Sequence, residues 1–321
     1  MVSALSAPHF HDEKAAFAYV EARVWPEGPV CPHCGGCDRI SAMKGESTRI
    51  GAYKCYQCRK PFTVKVGTIF ESSHVPLRFW LQAIFLMASS KKGISANQLH
   101  RTLGVTLKTA RFLAHRIREA MRSGGLAPFG GEGGAVEVDE TFIGTDRERA
   151  NFGKRAASHM NKVLSLVDRT TGEARSYVVD DLRLSTLAPI IEANIAREAR
   201  LMTDEAQHYK GIGWNFADHG VVTHSRGEYV SKQDPSIHTN TVEGFYSIFK
   251  RGMRGDYQHR EQRHLHRYMA EFDFRYSSRV ALGVNDVARA DRVLKGVSGK
   301  RLTYQTTRSK GPAFDWREGA V

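Results

Sequence analysis

The segment HTNTVEGFYSIFKRGMRG, residues 238–255, carries apolar side chains at helical spacing: Val242, Phe245, Ile248 and Phe249. One face of such a helix turns toward a core. Thr and Asn at its start are good helix caps. Glu243 and Lys250 lie seven positions apart, two helical turns, and so project from nearly the same side. A carboxylate in that relation to a lysine can hold a divalent cation while the lysine meets a phosphate. Read alone, the segment is equally a charged surface helix, the commoner meaning of scattered charge. What precedes it must decide.

The chain has 321 residues, enough for two or three domains with cores of their own. Its net charge of +13 and pI of about 9.6 favour a polyanionic partner, nucleic acid before a membrane surface. Mean hydropathy is −0.41, and no apolar run is long enough to span a bilayer. The opening MVSALSAPHFHDEKAAF has neither a basic n-region nor an apolar h-region, so no secretory signal is expected. The expected setting is a reducing cytoplasm.

Four of the five cysteines form two CxxC pairs, Cys31–Cys34 and Cys55–Cys58, separated by a spacer of 20 residues. Each pair sets two thiolates on a tight knuckle, and two knuckles close a tetrahedron around Zn²⁺. A closed four-sulfur site is structural, and zinc then contributes directly to folding a piece too small for its own core. Cys37 is spare and expected to be a bystander, and His33 is expected to face solvent.

Ahead of the cysteines, residues 9–25 read as a short helix with Phe10, Phe17, Val20 and Val24 on one side. Residues 76–89 form an apolar helix with Pro76 at its start. Residues 95–122 read as helix, a break at Gly104, and a second helix carrying Lys108, Arg111, Arg116, Arg118 and Arg122. That is the pattern of a helix-turn-helix, whose second helix enters a DNA groove; a plain helical hairpin is the alternative. The expected divisions are an N-terminal helix (1–28), a zinc ribbon (29–70), a helical DNA-binding region (74–123), a flexible Gly-rich linker (124–134), an α/β core (135–280) and a basic, loosely ordered tail (281–321).

The core opens with AVEVDETFIG, a strand with Asp139 on the face opposite Val136 and Val138. An acid there is an exposed edge residue or a ligand. Residues 145–162 are polar and basic (Arg147, Arg149, Lys154, Arg155, Lys162) and read as a loop near a polyanion. Residues 163–181 read as a hairpin, 185–197 as a helix capped by Ser185, and 199–206 as a strand ending at Asp204. The run GVVTHSRGEYV reads as a fifth strand, and the 238–255 helix follows. Three consecutive strands followed by alternating units give a mixed sheet with flanking helices.

This order, with acids on the first strand, the fourth strand and a following helix, resembles the RNase H-like core of the retroviral integrase type. The motifs DET at 139–141, TDEAQHYKGIG at 203–213 and HTNTVEGFYSIFKRGMRGDY leading into FDFRY at 272–276 resemble DDE transposases of bacterial insertion sequences, in the group with a zinc-ribbon front and an ISXO2-like transposase domain. The resemblance covers roughly residues 15–280. It implies that Asp139, Asp204 and Glu243 are the catalytic acids and Lys250 the lysine that follows the third. Asn240 also lies on that helix, and the third position of the group includes Asn, but a hard cation prefers a carboxylate to an amide. Asn240 is then a cap or a group behind the ligands. The resemblance further implies two Mg²⁺ (or Mn²⁺) ions, with oxygens of the three acids converging to within roughly 4–6 Å, to drive in-line displacement at phosphorus. It implies cleavage at transposon ends and joining to target DNA by a dimer or larger assembly on DNA, in a bacterial, nucleoid-associated setting. Glu140 and Glu205 should point away from the acids. His208 and His224 lie near them, with satisfied polar roles the commoner outcome. Arg251, Arg254, His259, Arg260, Arg263 and His264 form a basic run suited to a DNA backbone. A transcription regulator with a non-catalytic core, or a nuclease that does not transpose, would share much of this sequence.

Overall fold

Among the described residues, apolar side chains segregate into four buried clusters, and these set the architecture. The computed structural model describes residues 3–122, 124, 127–144, 160–258, 262–300 and 302. Helix α1 (Glu13–Val24) starts where the Asp12 carboxylate accepts the Ala15 N–H at 2.8 Å. Three short antiparallel strands follow in the order β1 (Ile40–Ala42), β2 (Tyr53–Cys55) and β3 (Pro61–Phe62). Their small core is Cys31, Cys55 and Phe62, with Trp25 set edge-on to Phe62.

Helices α2 (Leu77–Ser89), α3 (Ala96–Leu103) and α4 (Leu107–Met121) build the next layer around Trp80, Ile84, Met87, Leu99, Leu113 and Ile117. Gly104, left-handed at φ 64°, ends α3. Ser95 and Thr106 cap α3 and α4 with their hydroxyls.

The larger sheet contains β4 (Ala135–Ile143), β5 (Asn161–Asp168), β6 (Ala174–Val179), β7 (Arg200–Asp204) and β8 (Asp218–Val222), in the order β6-β5-β4-β7-β8. The β4–β5 and β5–β6 pairs are antiparallel, whereas β4–β7 and β7–β8 are parallel. Helices α5 (Leu184–Asn194) and α6 (Gln207–Gly213) cover one face, burying Val136, Val138, Leu164 and Leu166. Helices α7 (Asn240–Gly255) and α8 (Leu265–Tyr276) cover the other, burying Val163, Val167, Phe245, Phe249 and Phe272. Two antiparallel strands on one side of β4 and two parallel strands on the other make this the RNase H-like α/β fold. No helix among the described residues is long and apolar enough to cross a membrane.

Several expectations need correction. The tail is not loose from 281: α9 (Asp286–Lys295) packs Val293, Leu294 and then Val297 into the α2–α4 cluster. The Gly-rich linker is likewise seated from residue 127. Phe129 is buried and its N–H reaches the Asn194 carbonyl at 2.8 Å. Gly130 serves close approach rather than flexibility, since a Cβ there would meet the Ala199 Cβ at 2.4 Å. Helix α5 begins at Leu184, and its first turn is held by Asp181, which accepts from the Arg183 N–H and the Thr186 hydroxyl, not by Ser185. The fifth strand stops at Val222, because the Glu205 carboxylate binds the N–H groups of His224 and Ser225 and turns the chain. The basic stretch with Arg147, Arg149, Lys154 and Arg155, the pair His259 and Arg260, and the tail beyond Leu302 lie outside the described residues.

The helical layer and the core are tied by a buried ion pair. Arg118 on α4 donates to Glu271 on α8 at 2.7 Å, with side-chain exposures of 3% and 0%. The Tyr257 hydroxyl and Arg275 also reach Glu271. Burial alone would push the Glu271 carboxyl up, but the two guanidiniums bring it below the usual range. Arg118→Met should therefore lower stability by about 3–5 kcal/mol, as removing one partner of a buried pair does, whereas Arg111→Met on the exposed side of α4 should change it by less than about 0.5 kcal/mol. Urea unfolding of the two variants measures the contrast.

Candidate active site

The β4–β7 ladder brings two of the acids together. Ala135 pairs with Arg200, Val136 with Leu201 and Glu137 with Met202. The ladder ends two residues before Asp139; continued, its register would point Asp139 toward Asp204, whose charge acts on it. Alternation puts Glu137 and Asp139 on the α7 face, opposite Val136 and Val138. Helix α7 crosses this face, and the Tyr246 hydroxyl donates to the backbone carbonyl of Asp139 at 2.6 Å.

Burial pushes the Asp139 carboxyl up to about 7, the charge of Glu140 adds to that, the Glu140 N–H opposes it, and Asp204 and Glu243 raise it further. Asp204 is also raised, first by burial, against the Ala206 N–H that holds it down at 2.9 Å. The strongest charges acting on Asp139 are all negative, so the cluster is short of positive charge. Among the described residues, only the four ribbon cysteines bring all their ligand atoms within 4.8 Å of one another. The three acids are spread more widely than that.

Glu243 lies on the first turn of α7, accepts from the Thr239 hydroxyl at 3.2 Å and has the His224 ring at 3.5 Å. Asn240 opens the helix and is exposed. Lys250 is partly buried, with its ammonium 5.9 Å from the Tyr246 ring. Glu140 takes the Tyr209 hydroxyl and has His208 at 3.4 Å, on the α6 side. Glu205 is occupied by the backbone turn at 224–225, whose N–H groups hold its carboxyl down to about 2.

The basic residues divide. Arg116 and Arg118 are buried at 3% exposure, and Arg116 donates to the carbonyls of Ile69, Glu71 and Leu302. Both are structural, and the expectation that they face DNA is corrected: their guanidiniums bond inward. Lys108, Arg111, Arg251 and Arg254 are exposed. Sequence reasoning passed over Glu137, which is wholly buried and binds both Arg169 and the start of α7. Its parity with Asp139 in VEVDE was the available signal.

In the ribbon, Cys31 and Cys58 sulfurs lie 3.6 Å apart and Cys34 and Cys55 sulfurs 3.7 Å apart. Sulfurs about 2.3 Å from a tetrahedral Zn²⁺ stand about 3.8 Å apart, so the four cysteines fit zinc. Backbone N–H groups of Cys58 and Gln57 lower the Cys55 thiol. Cys37 and His33 are exposed.

Two outcomes follow for the isolated protein. Cys31→Ser or Cys55→Ser should lose the bound zinc, while Cys37→Ser should keep one zinc per chain by metal analysis. For Asp139, the folded chain holds a proton that the unfolded chain releases from about pH 4. Stability of the metal-free protein should then fall as pH rises from about 4 to 7, and the whole penalty should be present above 7. Asp139→Asn should flatten that fall in urea unfolding; identical pH profiles would contradict it. Asp273, also raised to about 7 by burial, is common to both proteins and cancels in the difference.

Residues 132–277 match the family model described as the ISXO2-like transposase domain, and residues 11–61 match the transposase zinc-ribbon domain. A relative named as an uncharacterized protein in transposable element ISH50 of Halobacterium salinarum is 26% identical over 255 residues, 75% of this chain and 82% of its own length. A chain in the cryo-EM structure of the simian T-cell lymphotropic virus intasome in complex with PP2A regulatory subunit B56 gamma is 14% identical. It has a TM-score of 0.27 over 61% of this chain, and the match spans 65% of that chain, a likeness too loose to carry weight. The chain belongs to the transposases that place a zinc-ribbon domain ahead of an ISXO2-like transposase domain.

Proposed function

We propose that this transposase binds the ends of an insertion element, cuts DNA there with divalent ions held by Asp139, Asp204 and Glu243, and joins the freed 3′-OH to target DNA. The observation that carries the reading is that the charges of Asp204 and Glu243 both act on the buried Asp139 carboxyl, beside the end of the parallel β4–β7 ladder. A pair of Mg²⁺ or Mn²⁺ ions would supply the Lewis acidity for in-line displacement at phosphorus.

The chain's own groups have distinct tasks. Asp139 and Asp204 would hold the cations from the sheet, and Glu243 from the helix. Glu243 rather than Asn240 is the third acid, because its charge acts on Asp139 while Asn240 opens the helix exposed. Lys250, two turns beyond Glu243 and near Tyr246, meets a DNA phosphate and offsets charge in the transition state. Lys108, Arg111, Arg251 and Arg254 contact the DNA backbone from exposed positions. The transposition reaction engages two element ends, so the working form is a homo-oligomer assembled on DNA. The protein works in the cytoplasm, at the nucleoid.

The test is cleavage of an intact element end, and strand transfer of the freed end, in Mg²⁺. Asp204→Asn should abolish both cleavage and joining, and equal activity in the variant would overturn the assignment. Cleavage by the wild type without joining would favour a nuclease. Lys108→Ala and Arg111→Ala should weaken DNA binding for all sequences alike and lower the salt slope by about one each; unchanged slopes would remove that helix from the interface.

A further inference from the structure

We infer that Glu137 is a positioning residue for the third acid: with Arg169 it clamps the start of α7 onto β4 and so sets Glu243 opposite Asp139. The inference rests on the reading of Asp139, Asp204 and Glu243 as cation ligands.

Glu137 has no solvent exposure and stands two residues before Asp139 on the same face of β4. Its carboxylate accepts from Arg169 Nε at 2.5 Å, from the Thr241 hydroxyl at 2.6 Å and from the Val242 N–H at 2.8 Å. The Val242 N–H belongs to the first turn of α7, whose N–H groups have no partner within the helix. The expected local cap is missing. Thr239, the N-cap residue, makes no capping bond and donates its hydroxyl to Glu243 instead. A carboxylate from the central strand has replaced it.

Arg169 completes the clamp. Its Nη1 donates to the Ser236 carbonyl and its Nη2 to the His238 carbonyl, both at 2.5 Å. One guanidinium thus holds two carbonyls of the chain entering α7 while neutralising Glu137. A rotation or slide of α7 would break bonds to the carboxylate and to the guanidinium together. Glu243 follows Thr241 and Val242 within the same helical turn, so this clamp fixes its height above the strand. The same bonds exclude Glu137 from the cation site. Its oxygens are taken and its charge is paired, unlike Asp139, whose strongest neighbouring charges are acidic.

The experiment is Mn²⁺ binding by the full chain without DNA, followed by electron paramagnetic resonance, alongside metal-dependent cleavage. Glu137→Gln should weaken Mn²⁺ binding by about 10-fold, the low end of losses on removing groups that orient metal ligands. It should lower kcat for cleavage with KM for DNA unchanged, while zinc content stays at the wild-type level. Thr241→Val, which removes one hydroxyl bond at nearly constant volume, should give a smaller loss of the same kind and decides the matter if Glu137→Gln does not fold. Mn²⁺ affinity equal to wild type in folded variants, or a loss that disappears once the unfolded fraction is subtracted, would overturn the inference alone. Wild-type protein that binds no Mn²⁺, or Asp204→Asn that binds it normally, would overturn the ligand assignment and the inference with it.

Discussion

A wholly buried carboxylate on the central strand is the constraint on which the rest of the core depends. Glu137 is tolerated in an apolar interior because three donors, one of them a guanidinium, surround it. Those donors come from the β5–β6 turn and from the start of α7. Satisfying one charge therefore locks two separate pieces of chain to β4. The strand that carries the first acid becomes the reference against which the third acid is placed.

The acidic cluster shows the opposite electrostatics only two residues away. Asp139 is buried and faces like charges, so its carboxyl is driven up to about 7. The fold accepts this cost because the packing around Tyr246 and the sheet register over-determine where Asp139 sits. A site of fixed, uncompensated negative charge is suited to cations and poorly suited to anything else.

Ahead of the core, the helical layer is less separate than a linker of glycines suggests. Arg118 and Glu271 join α4 to α8, and α9 returns from the C-terminal side to fill the cluster between α2 and α4. The ribbon needs its own solution, since three short strands bury only a few side chains. Four sulfurs at the spacing of a zinc tetrahedron supply it.

The sequence by itself determined the zinc ribbon, the strand and helix order of the core, and which acids stand at the end of β7, on β4 and on α7. Those follow from local signals: CxxC spacing, alternation along VEVDET, and helical spacing in VEGFYSIF. Only the tertiary structure decided how charges are used. Arg116 and Arg118 have the same chemistry as Lys108 and Arg111 and lie on the same helix, yet they point into carbonyls and a carboxylate contributed by distant segments. Glu137, Asp139 and Glu140 are neighbours in one strand, but one is paired, one is crowded by like charges and one takes a tyrosine hydroxyl. Spacing can say which face a side chain occupies. What waits on that face is set by long-range packing, and that is why the clamp on α7 could not be read from VEVDE.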